Sequence, residues 1–223
     1  MHDSKPIALG ITGASGSAYA LRLLECLIAA GRPVYLMISQ AGQIVLNMES
    51  GLQLPSQPAE VARILAERFQ AAPGQLQVFG RQQWMAPVAS GSNPPEAMVI
   101  CPCTTGALSA VACGASNDLM ERAADVMLKE RRKLILVVRE TPLSDIHLEN
   151  MLKLSRMGAL IMPASPGFYQ DPESLEDIVD FMVARILDQL GVEQRLMPRW
   201  GGAALTAGYG LTVVRLRPSR LER

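Results

Sequence analysis

The sequence predicts a doubly wound α/β fold, a three-layer α/β/α sandwich built on a parallel sheet covered on both faces. Three observations carry this expectation. Short apolar runs recur along the chain without polar alternation, as strands buried on both faces require. Helical patterns separate these runs, so each connection is a crossover rather than a hairpin. Glycine- and hydroxyl-rich turns follow several of the runs, and right-handed crossovers place all such turns on one rim of the sheet.

Taken in order, Lys5–Thr12 (KPIALGIT) reads as the first strand, and Ser15–Ala30 as an amphipathic helix ended by Gly31. Val34–Ser39 is a second strand, followed by a helical stretch Gly42–Glu49, a helix Ala59–Gln70 and a short strand Leu76–Phe79. Gln82–Pro95, rich in Pro, Gly, Ser and Asn, reads as a loop. Ala97–Cys101 is a buried strand, Thr104–Cys113 an Ala/Ser/Gly-rich helical segment, and Asn117–Arg131 a strong helix. Lys133–Val138 is the most apolar strand. A helix near Asp145–Met157, a strand Ala159–Met162 and a long helix Ser174–Leu190, entered through Pro172, complete the pattern.

The 223 residues fit one domain, taken as residues 1–200, with an irregular tail over 201–223. Apolar residues make up 49% of the chain, enough for a sizeable core. A net formal charge of +0 and no long basic run exclude nucleic acid or an anionic membrane held by bulk electrostatics. Ser17 to Ala30 is the longest helix-like apolar segment, and Arg22 and Glu25 interrupt it, so no membrane span is expected. The N-terminus lacks the cleavage site of a secretory signal. Cys26, Cys101, Cys103 and Cys113 form no C-x-x-C pair, and His2 and His147 are too few to complete a zinc site. They read as reduced core thiols of a cytoplasmic protein, with no metal.

Three rim turns carry chemistry. Gly10-Ile-Thr-Gly13-Ala14-Ser15-Gly16 joins a strand to a helix, where glycines admit a phosphate to backbone N–H groups and the helix dipole favours it. Tight turns need glycine for their own sake as well. The loop departs from G-x-G-x-x-G, and the second strand ends in Ser39 rather than an acidic residue for an adenosine ribose. A mononucleotide phosphate therefore fits better than NAD. Thr104-Thr105-Gly106-Ala107, after the fourth strand, offers two hydroxyls that either cap a helix or bind a second part of the ligand. Arg139-Glu140 follows the apolar strand directly, a planar phosphate-binding fork beside a carboxylate. Tyr169 lies in a later rim loop and Arg185 within the last helix. Both can donate to a second phosphate, as can Arg122 and Lys129 if they are not simply solvated. Glu49 closes a helix, and Trp84 and Trp200 lie in loops where an aromatic face can stabilise positive charge.

These residues together resemble the flavin prenyltransferases, formerly described as aromatic-acid decarboxylases. The likeness rests on GITGASGSAYA, Ser39, Glu49, the block from Cys101 to Ser144, the MPASPGFY segment and the final MPRW, and it spans about residues 5–200. It implies a flavodoxin-like fold assembled as a dodecamer with sites at subunit junctions. Reduced FMN would be alkylated at N5 by dimethylallyl monophosphate and closed into a fourth ring. The product, prenylated FMN, would pass to a decarboxylase that needs it, often in ubiquinone biosynthesis. By the same resemblance Gly13, Ala14, Ser15, Ser39, Thr104, Thr105, Gly106, Ala107 and Arg139 bind FMN. Tyr169 and Arg185 take the substrate phosphate with help from Lys129 and Arg122, and Trp200 lies beside the allyl group. Ser15, Glu49 and Glu140 handle protons.

The acidic run Glu176-Asp177-Ile-Val-Asp180 opens a helix and reads as dipole charge rather than a magnesium site, which implies a metal-free enzyme. Two rivals remain. A cysteinyl-peptide decarboxylase of related fold needs a histidine near the second helix, and none stands between His2 and His147. A non-catalytic FMN carrier serving a decarboxylase would need the same flavin loops.

Overall fold

A computed structural model describes residues 4–198. Strands β1 (Ile7–Ile11), β2 (Val34–Ile38), β3 (Leu76–Phe79), β4 (Ala97–Cys103), β5 (Lys133–Val138) and β6 (Leu160–Ile161) form one sheet. They lie in the order β3-β2-β1-β4-β5-β6, every neighbouring pair parallel. The order reverses between β1 and β4, which puts the topological switch point at their C-terminal ends.

Side-chain alternation along the strands assigns the helices to faces. Ile7, Leu9 and Ile11 of β1 and Val99 and Cys101 of β4 share a core with helices α1 (Ser17–Ala29), α2 (Gln40–Ser50), α3 (Pro58–Phe69) and α7 (Leu175–Leu190). Ala8, Met98 and Ile100, one residue out of phase, pack instead with α4 (Thr105–Ala112), α5 (Leu119–Lys129) and α6 (Asp145–Arg156), joined by Cys103 beyond an irregularity in β4. This is the expected three-layer sandwich. Water reaches neither face of the central strands: β1 and β4 are buried throughout. Among the described residues no helix is long and apolar enough to cross a membrane.

Most departures from the sequence-based boundaries come from capping. Ser39, Thr104, Asp118 and Ser174 are expected inside elements; each instead stands just before a helix and accepts a first-turn amide on its side-chain oxygen. Helix α1 starts at Ser17, not Ser15, because Gly16 takes φ 110°, a left-handed value that only glycine adopts cheaply. The expected loop 82–95 contains a short 3₁₀ turn at Pro87–Ala89.

Strand β4 runs two residues past its expected end, through Pro102 to Cys103, with a register shift against β5 after Ile100. The expectation of four core thiols is corrected. Cys101 and Cys103 are buried and Cys26 half-buried, but Cys113 is exposed at the end of α4. Burial pushes the Cys103 thiol up to about 12, so it is inert as a nucleophile.

Candidate active site

The rim above the switch point is built by three strand ends. Beyond Gly10 and Ile100 the regular β1–β4 ladder stops, which leaves an opening at the strand ends. The opening holds a cavity of ≈ 180 Å³ lined by Thr12, Gly13, Ser39, Ala41, Thr104 and Ala107, with Asp118 and Glu121 at its wall. It thus gathers members of the first two glycine- and hydroxyl-rich turns with Ser39. Gly13 is required here by close approach: a Cβ on it would lie 2.4 Å from the Ala41 Cβ of α2. Ser15 is exposed beside it, and Ala14 is buried.

The mouth of α4 is ready for an anion. The Thr104 hydroxyl accepts the Ala107 amide at 3.1 Å, which leaves the first-turn amides of Thr105 and Gly106 pointing from the helix end. The same hydroxyl still has its proton to donate. Space beside Gly106 is open: a Cβ there would meet nothing nearer than Thr104 Oγ1, at 3.9 Å. Arg139 sits on the adjoining strand end, its amide donating to the Cys103 carbonyl at 3.2 Å. Its Nε is buried and has no hydrogen-bond partner. An orphaned buried donor costs about 1–3 kcal/mol, more when charged, and an incoming phosphate would relieve it.

The mouth of α1 behaves differently. The sequence reading offers this helix start to a ligand phosphate, yet the protein's own Glu49 occupies it. The carboxylate accepts the Gly16 amide at 3.0 and 3.2 Å and the Ser17 amide at 2.8 Å. Burial works against the charge, but hydrogen bonds from Ser15, Ser17 and Gly16 outweigh it and hold the carboxyl below its ordinary 4.5. The contact links residues 33 apart, so helix-end position alone gave no sign of it.

A depressed folded pKa stabilises above the unfolded value and loses that contribution as pH falls through the folded one. Glu49→Gln is therefore expected to lower Tm by roughly 1–4 °C at pH 7, from a helix-dipole contribution of about 0.3–1 kcal/mol. The gap between the two melting curves narrows as the pH is lowered from 7 through the acid range below 4.5. Melts of both proteins across that range check this; an unchanged gap would show that Glu49 acts uncharged.

Glu140, half-buried beside Arg139, accepts the Thr141 amide at 3.1 Å. The remaining residues do not gather around it. Tyr169 and Arg185 do share a cleft, of ≈ 600 Å³, with Gln194 and Met197. Neither Arg122 nor Lys129 lines it, nor does any residue of the switch-point cavity. The reason is the layering: Arg122 and Lys129 ride on α5 and Arg185 on α7, and the sheet stands between those helices. Tyr169 and Arg185 thus lie apart from Arg122 and Lys129 within one chain. Arg122 bonds Asp125 at 2.8 Å and the Ala89 carbonyl at 3.1 Å, Lys129 pairs with Glu130, and Arg185 bonds Asp188 at 2.9 Å. Trp200 lies outside the described residues.

Sequence reading missed Thr12, Asp118 and Glu121. Thr12 sits between a strand and a glycine, where a buried hydroxyl needs partners; the acidic pair opens α5, which looks like ordinary capping.

A parallel sheet with a cavity at its switch point, an anion-ready helix mouth and an unpaired arginine beside it defines a mononucleotide-binding α/β protein. Comparison with known proteins narrows the class. The family model for Flavoprotein matches residues 1–187. The flavin prenyltransferase UbiX of Pseudomonas aeruginosa is 59% identical over 201 residues, 90% of this chain and 96% of that one. A crystal structure of AnUbiX (PadA1) in complex with FMN and dimethylallyl pyrophosphate superposes with TM-score 0.79 at 37% identity, covering 89% of this chain and 98% of that one. A dodecameric FMN-dependent UbiX-like decarboxylase from Escherichia coli O157:H7 gives 0.78 at 38% identity, covering 88% and 100%. This chain belongs to the flavin prenyltransferase family.

Proposed function

We propose that this chain transfers a dimethylallyl group from dimethylallyl monophosphate to reduced FMN, alkylating N5 and closing a further ring, and releases prenylated FMN. The observation that carries the reading is the buried, partnerless Arg139 Nε beside the open mouth of α4. There Thr104 to Ala107 and Arg139 would hold the FMN phosphate, with Ser39 and Gly13 to Ser15 along the remainder. Reduced FMN supplies the nucleophilic nitrogen and ring carbon.

The protein's part is charge and proton management. Departure of an allylic phosphate needs donors that meet the developing negative charge. Tyr169 and Arg185 supply them from one copy of the chain, Arg122 and Lys129 from another, because the sheet separates the two pairs within one copy. This supports a site completed at a subunit junction in an assembly such as the dodecamer of the Escherichia coli relative. Trp200 would present its ring to the allyl cation. Glu140 would take the proton released on ring closure, with Glu49 holding the Ser15–Ser17 turn in place. No group of three His, Cys, Asp or Glu able to hold a metal occurs among the described residues, and the chemistry assigned here uses none. The recipient of the product is a prenylated-FMN-dependent decarboxylase, and the buried free thiols suit a cytoplasmic setting.

The test is anaerobic incubation of the purified protein with reduced FMN and dimethylallyl monophosphate. The flavin is expected to gain the mass of one isoprene unit, with one phosphate released per flavin converted. Bound but unaltered flavin would replace this reading with that of a carrier.

A further inference from the structure

We propose that Thr12 is a positioning residue of the flavin site, whose hydroxyl sets the spacing between the β1 and β4 turns. The inference rests on the reading of the switch-point cavity as the FMN site and assigns a residue beyond those that the family resemblance names. Thr12 is one of the few buried polar side chains, 4% exposed, and it lines that cavity.

Its need follows from the sequence of β4. The regular β1–β4 ladder ends at Gly10 and Ile100. Two residues further on stands Pro102, which has no N–H to offer the next rung. The Thr12 side chain ties the two strands there by bonds of its own. Its hydroxyl donates to the Pro102 carbonyl at 2.6 Å and accepts the Thr104 amide at 2.9 Å, while its own amide reaches the same carbonyl at 3.3 Å. The partners are 90 and 92 residues away in sequence.

The relay then continues into the ligand-binding turn. Thr104, fixed through its amide, places its hydroxyl on the Ala107 amide at 3.1 Å and so orients the first turn of α4. On the other side Thr12 is bonded to Gly13, whose turn packs on Ala41. One hydroxyl, both donor and acceptor, thus ties the two halves of the cavity at the point where the strands separate. Serine can make the same pair of bonds; valine, of nearly the same shape, can make neither and leaves the half-buried Thr104 amide unpaired.

The experiment is a fluorescence titration of FMN into the intact oligomer of the parent, Thr12→Ser and Thr12→Val, with thermal melts of each without ligand. Thr12→Ser is expected to bind within about threefold of the parent and Thr12→Val at least tenfold more weakly while still folded, as loss of both hydroxyl bonds at the cradle implies. Should Thr12→Val not fold, Thr12→Ala in the same titration carries the same contrast with Thr12→Ser. Parent-like affinity in the variant lacking the hydroxyl, or equal loss in Thr12→Ser, overturns the proposal. A parent chain that takes up no FMN overturns the underlying site reading and this inference with it.

Discussion

Glu140→Gln is expected to bind FMN as the parent does and to form product about 10²–10⁴-fold more slowly, the range for loss of a positioned general base. Gln is nearly the same size, and its side-chain carbonyl can still accept the Thr141 amide that Glu140 Oε1 holds at 3.1 Å. The turn after β5 should therefore keep its shape, and with it the neighbouring Arg139 that is proposed to hold the flavin phosphate. What the variant loses is proton affinity. Single-turnover assays and FMN titration read the two effects separately. Full turnover would show that another group, such as the released phosphate, takes the proton; weakened FMN binding would show that Glu140 acts through the fold of the rim.

The second large effect concerns residues that one chain keeps apart. Lys129→Ala and Arg185→Ala are each expected to lower kcat/KM at least a hundredfold, as removal of a charge-assisted contact to a departing phosphate implies. Mixed under conditions of subunit exchange, the two inactive proteins should regain activity. If each site takes Lys129 from one copy and Arg185 from another, roughly a quarter of the sites in an equal mixture carry both. Restored turnover on mixing, absent when either variant is mixed with itself, is the readout. Sites contained within single chains would give no recovery, because no chain in the mixture would carry both side chains.

Much of the architecture was legible in the sequence because strand burial leaves a direct mark. Leu76–Phe79 and Lys133–Val138 are strands over the expected residues, and β5 is buried from Leu134 through Val138. Helix starts were less legible: Ser39, Thr104 and Ser174 look equally at home inside or just outside the helix, and their hydrogen bonds decide. The cavity-lining residues Gly13, Ser39, Thr104 and Ala107 were readable because strand ends and switch points map onto sequence order. Glu49 on the Gly16 and Ser17 amides, and Thr12 on Pro102 and Thr104, were not readable in that way. Both depend on which elements become neighbours across the sheet, and apolar periodicity carries no such information. The same holds for the separation of Arg122 and Lys129 from Arg185: residue type places each on a helix surface, but only the layer order shows that a sheet divides them.

The decisive measurement is the structure of the assembled protein with FMN and dimethylallyl monophosphate bound together. The FMN phosphate is expected at the α4 mouth, within hydrogen-bonding distance of Arg139. The allylic phosphate is expected between Tyr169 and Arg185 of one subunit and Arg122 and Lys129 of a neighbour, with Glu140 facing the flavin. An allylic phosphate bound far from the flavin ring, or Arg139 turned away from the FMN phosphate, would contradict the proposed chemistry.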